Sequence, residues 1–271
     1  MYKQNLHTHT CYCDGKNTPE EVIRAAREQG FDSIGFSGHS FTAYAQQFCM
    51  QPDQTIAYKE HIRRLQAELS EEFPIFCGLE FDMYSNTPLE GYDYVIGSVH
   101  YLKKDGQIWG FDRSQQEVAD MIDQAFGGDG MAFAKCYYET LAQLPEYGTF
   151  DILGHPDILC KHSENVAFFD EESKTYRHAV SEALEALRGK IPLFEVNTGA
   201  IPRGYRTTPY PSPYLLDEFK RLGFGAVVTS DCHDCRYLDH SFTQAYALLK
   251  EHGFREIYSL TKNGFVAQPL E

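Results

Sequence analysis

A chain of 271 residues, 42% hydrophobic and 23% charged, has enough interior for the core of one sizeable α/β domain. Its net charge of −15 excludes a broad basic surface for nucleic acid or an anionic membrane, although a locally positive pocket is still compatible with it. No run approaches the roughly 20 apolar residues of a membrane span, and the N-terminus MYKQNLHTHT lacks the apolar segment of a secretory signal, so a cytoplasmic protein is expected.

Strand-like and helix-like stretches alternate, which predicts parallel β-α units. Asn5-Leu6-His7-Thr8-His9-Thr10 reads as a short first strand, and the alternation of faces along a strand puts His7 and His9 on one side. Thr18-Pro19-Glu20-Glu21 then opens a helix. Thr18 caps it, Pro19 suits the first helical position, and Glu21 completes a capping box. Val22, Ile23 and Ala26 form its apolar face and Gly30 ends it. A second strand covers 33–39. A helix from about Gln54 follows, with Tyr58, Ile62, Leu65 and Leu69 at helical spacing.

Strands three and four cover 74–82 and 94–100. Helical segments over about 115–126 and 131–144 are separated by Gly127-Gly128-Asp129-Gly130. Strand five covers 151–155, and a helix from Asp170 to Arg188 buries Tyr176, Val180, Leu184 and Leu187. Strand six covers 193–198. Ser212-Pro213 opens the next helix with a cap and a proline, and Gly223 closes it. Strand seven covers 226–233, and a helix over about 240–252 precedes a short tail. Neither an internal repeat nor a domain boundary is visible, so 1–271 reads as a single barrel-like domain. The loops at 40–53, 83–93, 101–114 and 199–211 are long enough to build a site at the strand ends.

The chemistry-bearing residues fall at those ends. His7 and His9 end strand one, His39 strand two, Glu80 strand three, His100 strand four and His155 strand five; Asp231 and His233 end strand seven, and Asp14 lies just past strand one. Six of the 11 histidines occupy such positions, whereas His61, His162, His178, His240 and His252 fall in helices or loops. In a parallel barrel these ends share one face. Nine nitrogen and oxygen ligands exceed what one metal needs, since zinc is usually satisfied by about three or four protein ligands. Two or three divalent transition-metal ions are therefore implied. Imidazole with carboxylate suits zinc, iron and manganese alike, and Glu80 is placed to bridge two of them.

A four-thiolate zinc site from Cys11, Cys13, Cys232 and Cys235 is the competing arrangement. The one-residue spacing of the first pair, and the better ligands beside both pairs, favour reduced thiols in the walls of a site. Clustered hard-ligand metals point to hydrolysis by a metal-bound hydroxide, with phosphate esters as fitting substrates.

His7-Thr8-His9, Asp14-Gly15, His39, Glu80, His100, Gly154-His155 and Asp231-Cys232-His233 resemble the motifs of the polymerase-and-histidinol-phosphatase (PHP) family, over essentially the whole chain. The stretch from Glu195-Val196-Asn197-Thr198-Gly199 through Arg203-Gly204-Tyr205-Arg206 to Pro211-Ser212 is similar to the monofunctional histidinol-phosphate phosphatases. The resemblance implies a distorted (β/α)7 TIM-like barrel and a trinuclear centre. His7, His9, Glu80 and Asp231 would hold one metal, Glu80, His100 and His155 the second, and Asp14, His39 and His233 the third. Some relatives have histidine where this chain has Asp14. The implied activity is hydrolysis of L-histidinol phosphate in histidine biosynthesis.

A phosphate dianion needs cations beyond metal, and arginine suits it through paired N–H donors. Arg203 and Arg206 follow strand six and are the candidates. Relatives often carry another arginine shortly after the Gly154-His155 motif; here Cys160 stands in its place, with Lys161 beside it as a substitute point charge. Asp82, Tyr84, Tyr101 and Phe41 lie on loops that would form the pocket mouth. Asp231, Glu80 and His233 are the catalytic candidates, Asp231 as both ligand and neighbour of the nucleophile. No phosphoenzyme is needed, so Cys232 is a wall residue. The expected partner is a small-molecule phosphate ester, with neither nucleic acid nor membrane, and no feature specifies an oligomeric state. The alternatives are another phosphomonoester, a nucleotide or oligonucleotide phosphodiester, or a metal-binding regulatory domain.

Overall fold

The computed structural model describes residues 2–69 and 72–270. In chain order the strands are β1 (Gln4–Asn5), β2 (Ser33–Phe36), β3 (Ile75–Asp82), β4 (Tyr94–Ser98), β5 (Tyr101–Lys104), β6 (Gln107–Gly110), β7 (Ile152–Leu153), β8 (Leu193–Asn197), β9 (Gly225–Thr229), β10 (Glu256–Thr261) and β11 (Gly264–Pro269). The α-helices are α1 (Pro19–Glu28), α2 (Pro52–Leu69), α3 (Gln115–Phe126), α4 (Gly130–Ala142), α5 (Lys174–Leu187), α6 (Pro213–Leu222) and α7 (Phe242–Glu251).

β1, β2, β3, β4, β7, β8 and β9 lie side by side in that order, each parallel to the next. The two edges meet just beyond their last ladder residues. The His9 amide donates to the Cys232 carbonyl at 2.8 Å, and the Cys232 amide to the His7 carbonyl at 3.0 Å. The result is a nearly closed seven-stranded barrel with helices between the strands, as the alternating pattern predicts.

Local chemistry explains most boundaries. The Thr18–Glu21 capping box forms, and Pro19 opens α1. Ser114 and Glu117 form a second box at α3, which ends on Gly127 in the left-handed region. Ser173 caps α5, so that helix begins at Lys174 rather than Asp170. Ser212 precedes Pro213 of α6 as expected, but its side chain makes no capping bond; its amide instead donates to Asp157 Oδ2 at 2.7 Å.

Several strands end earlier than expected, and two segments differ in kind from the sequence reading. Residues 101–110 are not loop but the antiparallel hairpin β5–β6, turned at Asp105-Gly106 with φ of 51° and 79°. Such Asp-Gly pairs suit the tight hairpin turn because both positions need positive φ. The short tail is likewise a hairpin, β10–β11.

The barrel interior below the strand ends is filled by Leu6, Phe76, Tyr94, Ile96, Ile152, Leu193, Val227 and Leu260. Tyr94 reaches across it, and its hydroxyl donates to the Leu6 and Phe36 carbonyls. Gly35 and Gly78 make that crossing possible, since a Cβ would stand 2.5 Å from the Tyr94 hydroxyl at the first and 2.3 Å from Cζ at the second. No helix among the described residues is long and apolar enough to cross a membrane.

Candidate metal centre

Every one of the nine expected ligands reaches one mouth of the barrel. Glu80, at the end of β3 and fully buried, stands in the middle. Its Oε2 lies 2.8 Å from His39 Nδ1, 3.2 Å from His7 Nε2 and 3.4 Å from His9 Nε2. Its Oε1 lies 3.0 Å from His155 Nε2 and 3.6 Å from His100 Nε2. Asp231 Oδ1 faces His9 Nε2 at 3.2 Å and His7 Nε2 at 3.6 Å. Asp14 Oδ1 is 3.3 Å from His233 Nε2 and 3.8 Å from His39 Nε2. Asp231 itself has φ of 45°, a left-handed conformation that a short polar side chain tolerates.

Four overlapping groups have all their ligand atoms within 4.8 Å of one another: His9, Asp14, His39 and His233; His7, Glu80 and His155; His7, His9 and Asp231; His39, Glu80 and His100. None of these groups contains a cysteine. The eight cysteines are free thiols; Cys13 Sγ lies 3.4 Å from His9 Nδ1, and Cys232 Sγ donates to the Asp234 carbonyl.

The donor set fits divalent cations. His7 Nε2, His9 Nε2, Asp14 Oδ1 and Glu80 Oε2 are buried atoms without a hydrogen-bond partner, and all belong to the central cluster. Buried polar atoms otherwise cost free energy when unpaired. Imidazole nitrogens and carboxylate oxygens suit zinc, iron or manganese.

The electrostatics agree. Burial alone lowers the His39 pKa, but Glu80 and Asp14 outweigh it and hold the ring well above its ordinary value. His100 is likewise raised, to about 9, where Asp82 and Glu80 overcome burial. His9 goes the other way, to about 3, through burial and then the neighbouring His233 and His39. Burial opposes ionisation of Glu80, yet His39, His7 and His100 hold its carboxyl well below the usual range. The cluster thus offsets its buried carboxylates with protons on imidazoles, protons that bound cations displace.

Around these residues stand carboxylates that orient them. Glu195, fully buried in β8, accepts from His7 Nδ1 at 2.8 Å. It was not among the expected site residues, although a carboxylate inside the otherwise unionised stretch Leu193–Asn197 is a visible signal. Asp82, expected at the rim, is buried and pairs with His100 Nδ1 at 3.1 Å. Phe41 and Tyr84 do not line the cavity; the Tyr84 ring packs on Tyr147 instead.

The cavity over the cluster has a volume of about 260 Å³. Arg203 lines it, with Nη2 donating to Asp231 Oδ2 and Nε to the Gly199 carbonyl, both at 2.8 Å. Gly199 permits this approach, because a Cβ there would lie 2.5 Å from the Ser230 carbonyl oxygen and 3.0 Å from Arg203 Nη2. Lys161 also lines the cavity, and its Nζ donates to Asp112 Oδ1 at 2.6 Å. Arg206 corrects the expectation that it contacts substrate. It is buried away from the cavity: Nη1 donates to the Cys160 carbonyl at 2.8 Å, Nε to Thr208, and the guanidinium lies over Tyr210. Its bonds to Thr208 hold the guanidinium within its own loop, and the bond to Cys160 ties that loop to the 158–160 segment.

Fold and site together define a parallel α/β barrel whose open mouth carries a histidine–carboxylate metal-binding cluster. The chain belongs to the PHP domain family, whose model matches residues 5–199. A relative from Deinococcus radiodurans, bearing the name "Probable histidinol-phosphatase", is 28% identical over 265 residues, spanning 93% of this chain and 94% of that protein. The histidinol-phosphatase of Lactococcus lactis is 26% identical over 271 residues, spanning 95% and 94%. A crystal structure of histidinol phosphate phosphatase from Lactococcus lactis, complexed with zinc, L-histidinol and phosphate, superposes with a TM-score of 0.71 at 22% identity and covers 98% of this chain and 99% of that one.

Proposed function

We propose that this chain is a metal-dependent phosphomonoesterase that hydrolyses L-histidinol phosphate to L-histidinol and phosphate, a step of histidine biosynthesis. The observation that carries the reading is the convergence of unpartnered imidazole and carboxylate atoms beneath two cationic side chains, Arg203 and Lys161. Relatives of nearly equal length that carry the histidinol-phosphatase name supply the substrate.

In this reading His7, His9, Glu80 and Asp231 hold one ion, Glu80, His100 and His155 a second, and Asp14, His39 and His233 a third. The ions are zinc, iron or manganese. When bound, they supply an activated water at neutral pH and neutralise phosphate oxygens. Arg203 offers a planar pair of N–H donors to the phosphate, and Lys161 a point charge. Asp231 is placed between the imidazoles and Arg203, where its carboxylate would accept a hydrogen bond from the attacking water and orient it, with Glu80 and His233 beside it. Tyr101 and Phe48 line the cavity and would offer aromatic faces to the imidazole of the substrate. The chain acts as one domain, a reading supported by a large buried cluster that runs from Val22 to Ile257, and its place is the cytoplasm.

Phosphate release from a panel of small phosphomonoesters and one diester, with metal content measured on the same sample, tests the proposal. Turnover is expected to be highest on histidinol phosphate. Strong activity on another ester, with none on histidinol phosphate, would overturn the substrate; release only from the diester would move the chain to another reaction.

Arg203→Ala is expected to lower kcat/KM about 10- to 100-fold, because a charge-assisted hydrogen bond contributes roughly 1.5–3 kcal/mol. Arg203→Lys should recover only part of this, since an ammonium cannot reproduce the paired donors. Steady-state kinetics that leave kcat/KM unchanged in both variants would remove Arg203 from the phosphate contact.

A further inference from the structure

Glu195 is fully buried, and both of its oxygens are fully engaged. Oε1 accepts from the His155 backbone amide at 2.6 Å and from Asn197 Nδ2 at 2.8 Å. The Asn197 orientation is pinned, because its Oδ1 accepts from the Gly199 amide at 2.8 Å. Oε2 accepts from the Thr229 hydroxyl at 2.7 Å and meets His7 Nδ1 at 2.8 Å. Three of the four partners are thus donors, and a carboxylate so surrounded accepts from the fourth as well. His7 must then carry its proton on Nδ1, which leaves Nε2 to face Glu80 Oε2 at 3.2 Å and Asp231 Oδ1 at 3.6 Å.

We propose that Glu195 is a positioning residue that fixes the Nδ1–H tautomer of His7, so that a bare Nε2 lone pair is aimed into the metal cluster. The same carboxylate holds the backbone of His155, so a single side chain orders ligands contributed by two strands. The inference rests on the reading of His7 as a metal ligand, and it needs no assumption about the substrate. Carboxylate partners of metal-bound histidine act in this way in general, fixing both tautomer and ring orientation.

Glutamine at this position is a discriminating replacement. Its NH2 cannot replace Oε1, where two donors already point. It must replace Oε2, where Thr229 can rotate to accept but His7 Nδ1 can accept only by moving its proton to Nε2. The shape is kept and the lone pair offered to metal is lost. Thr229→Val is the matched control, since it deletes a bond to the same oxygen without touching the His7 proton.

The test measures zinc affinity by chelator competition and the His7 ring tautomer by nitrogen-15 NMR, on zinc-loaded wild type, Glu195→Gln and Thr229→Val. The wild type is expected to show Nδ1–H. Glu195→Gln should bind zinc about 10- to 100-fold more weakly, with the proton on Nε2. Thr229→Val should keep the Nδ1–H tautomer and bind within a few-fold of wild type. An unchanged zinc affinity in folded Glu195→Gln overturns the proposal. So does an Nε2–H ring in the wild type, a measurement that stands even if the variant fails to fold. Because no substrate enters either readout, failure of histidinol phosphate as substrate would leave this result intact, and the reverse.

Discussion

Glu80→Gln is expected to abolish turnover and metal binding together. The substitution keeps the volume of the side chain and removes its charge at the one point that meets His7, His9, His39, His100 and His155. A neutral amide cannot bridge cations through both oxygens, and its NH2 would point at imidazole nitrogens that are needed as donors of lone pairs. Loss of charge stabilisation by bound cations is worth several kcal/mol, so kcat/KM should fall about a thousandfold or more. Steady-state phosphate release and elemental analysis of the same preparation decide the matter. A variant that keeps its metal complement and turns over near the wild-type rate would refute the proposed bridging role of Glu80.

Asp231→Asn should be nearly as damaging, for a different reason. Asp231 occupies the left-handed region, which asparagine also tolerates, so the backbone at the barrel mouth is retained and the charge alone is removed. Its Oδ1 faces His7 and His9 and its Oδ2 accepts from Arg203, so one substitution removes the charge from the histidine cluster and the anionic partner from the guanidinium. Against the cost of burial, Arg203 first and then His7, His233 and His9 hold the carboxyl in its charged form. We expect kcat/KM to drop about 100- to 1000-fold, with kcat carrying most of the loss if Asp231 orients the attacking water as proposed. Should KM alone rise while kcat holds, Asp231 would be a binding residue only.

The barrel and its ligand ring were legible because each depends on short-range signals. A capping box at α1, proline at the first helical turn, helical spacing of apolar residues and the glycine-rich break after α3 place α1, α2, α3 and α6 within a few residues of their expected bounds. The strands were overestimated at their C-terminal ends: β2 ends at Phe36 and β9 at Thr229, short of His39 and His233. There the chain leaves the ladder so that its side chains can turn inward over the mouth. The β5–β6 hairpin carried its own signal in Asp105-Gly106, which the length of the intervening loop obscured.

By itself the sequence determined the ligand types, their recurrence at strand ends and the strongly acidic net charge. Those properties follow from composition and from periods of two and 3.6 residues, which are local. The tertiary structure alone decided which donors share an ion-sized space, because that depends on parallel register and on closure of β1 against β9 near Thr8 and Cys232. It also brought Glu195 to His7 across 188 residues and turned Arg206 away from the cavity that Arg203 lines. Two arginines three residues apart look alike in a sequence. Only the folded loop distinguishes them, by giving one a carboxylate at the barrel mouth and the other the carbonyl of Cys160.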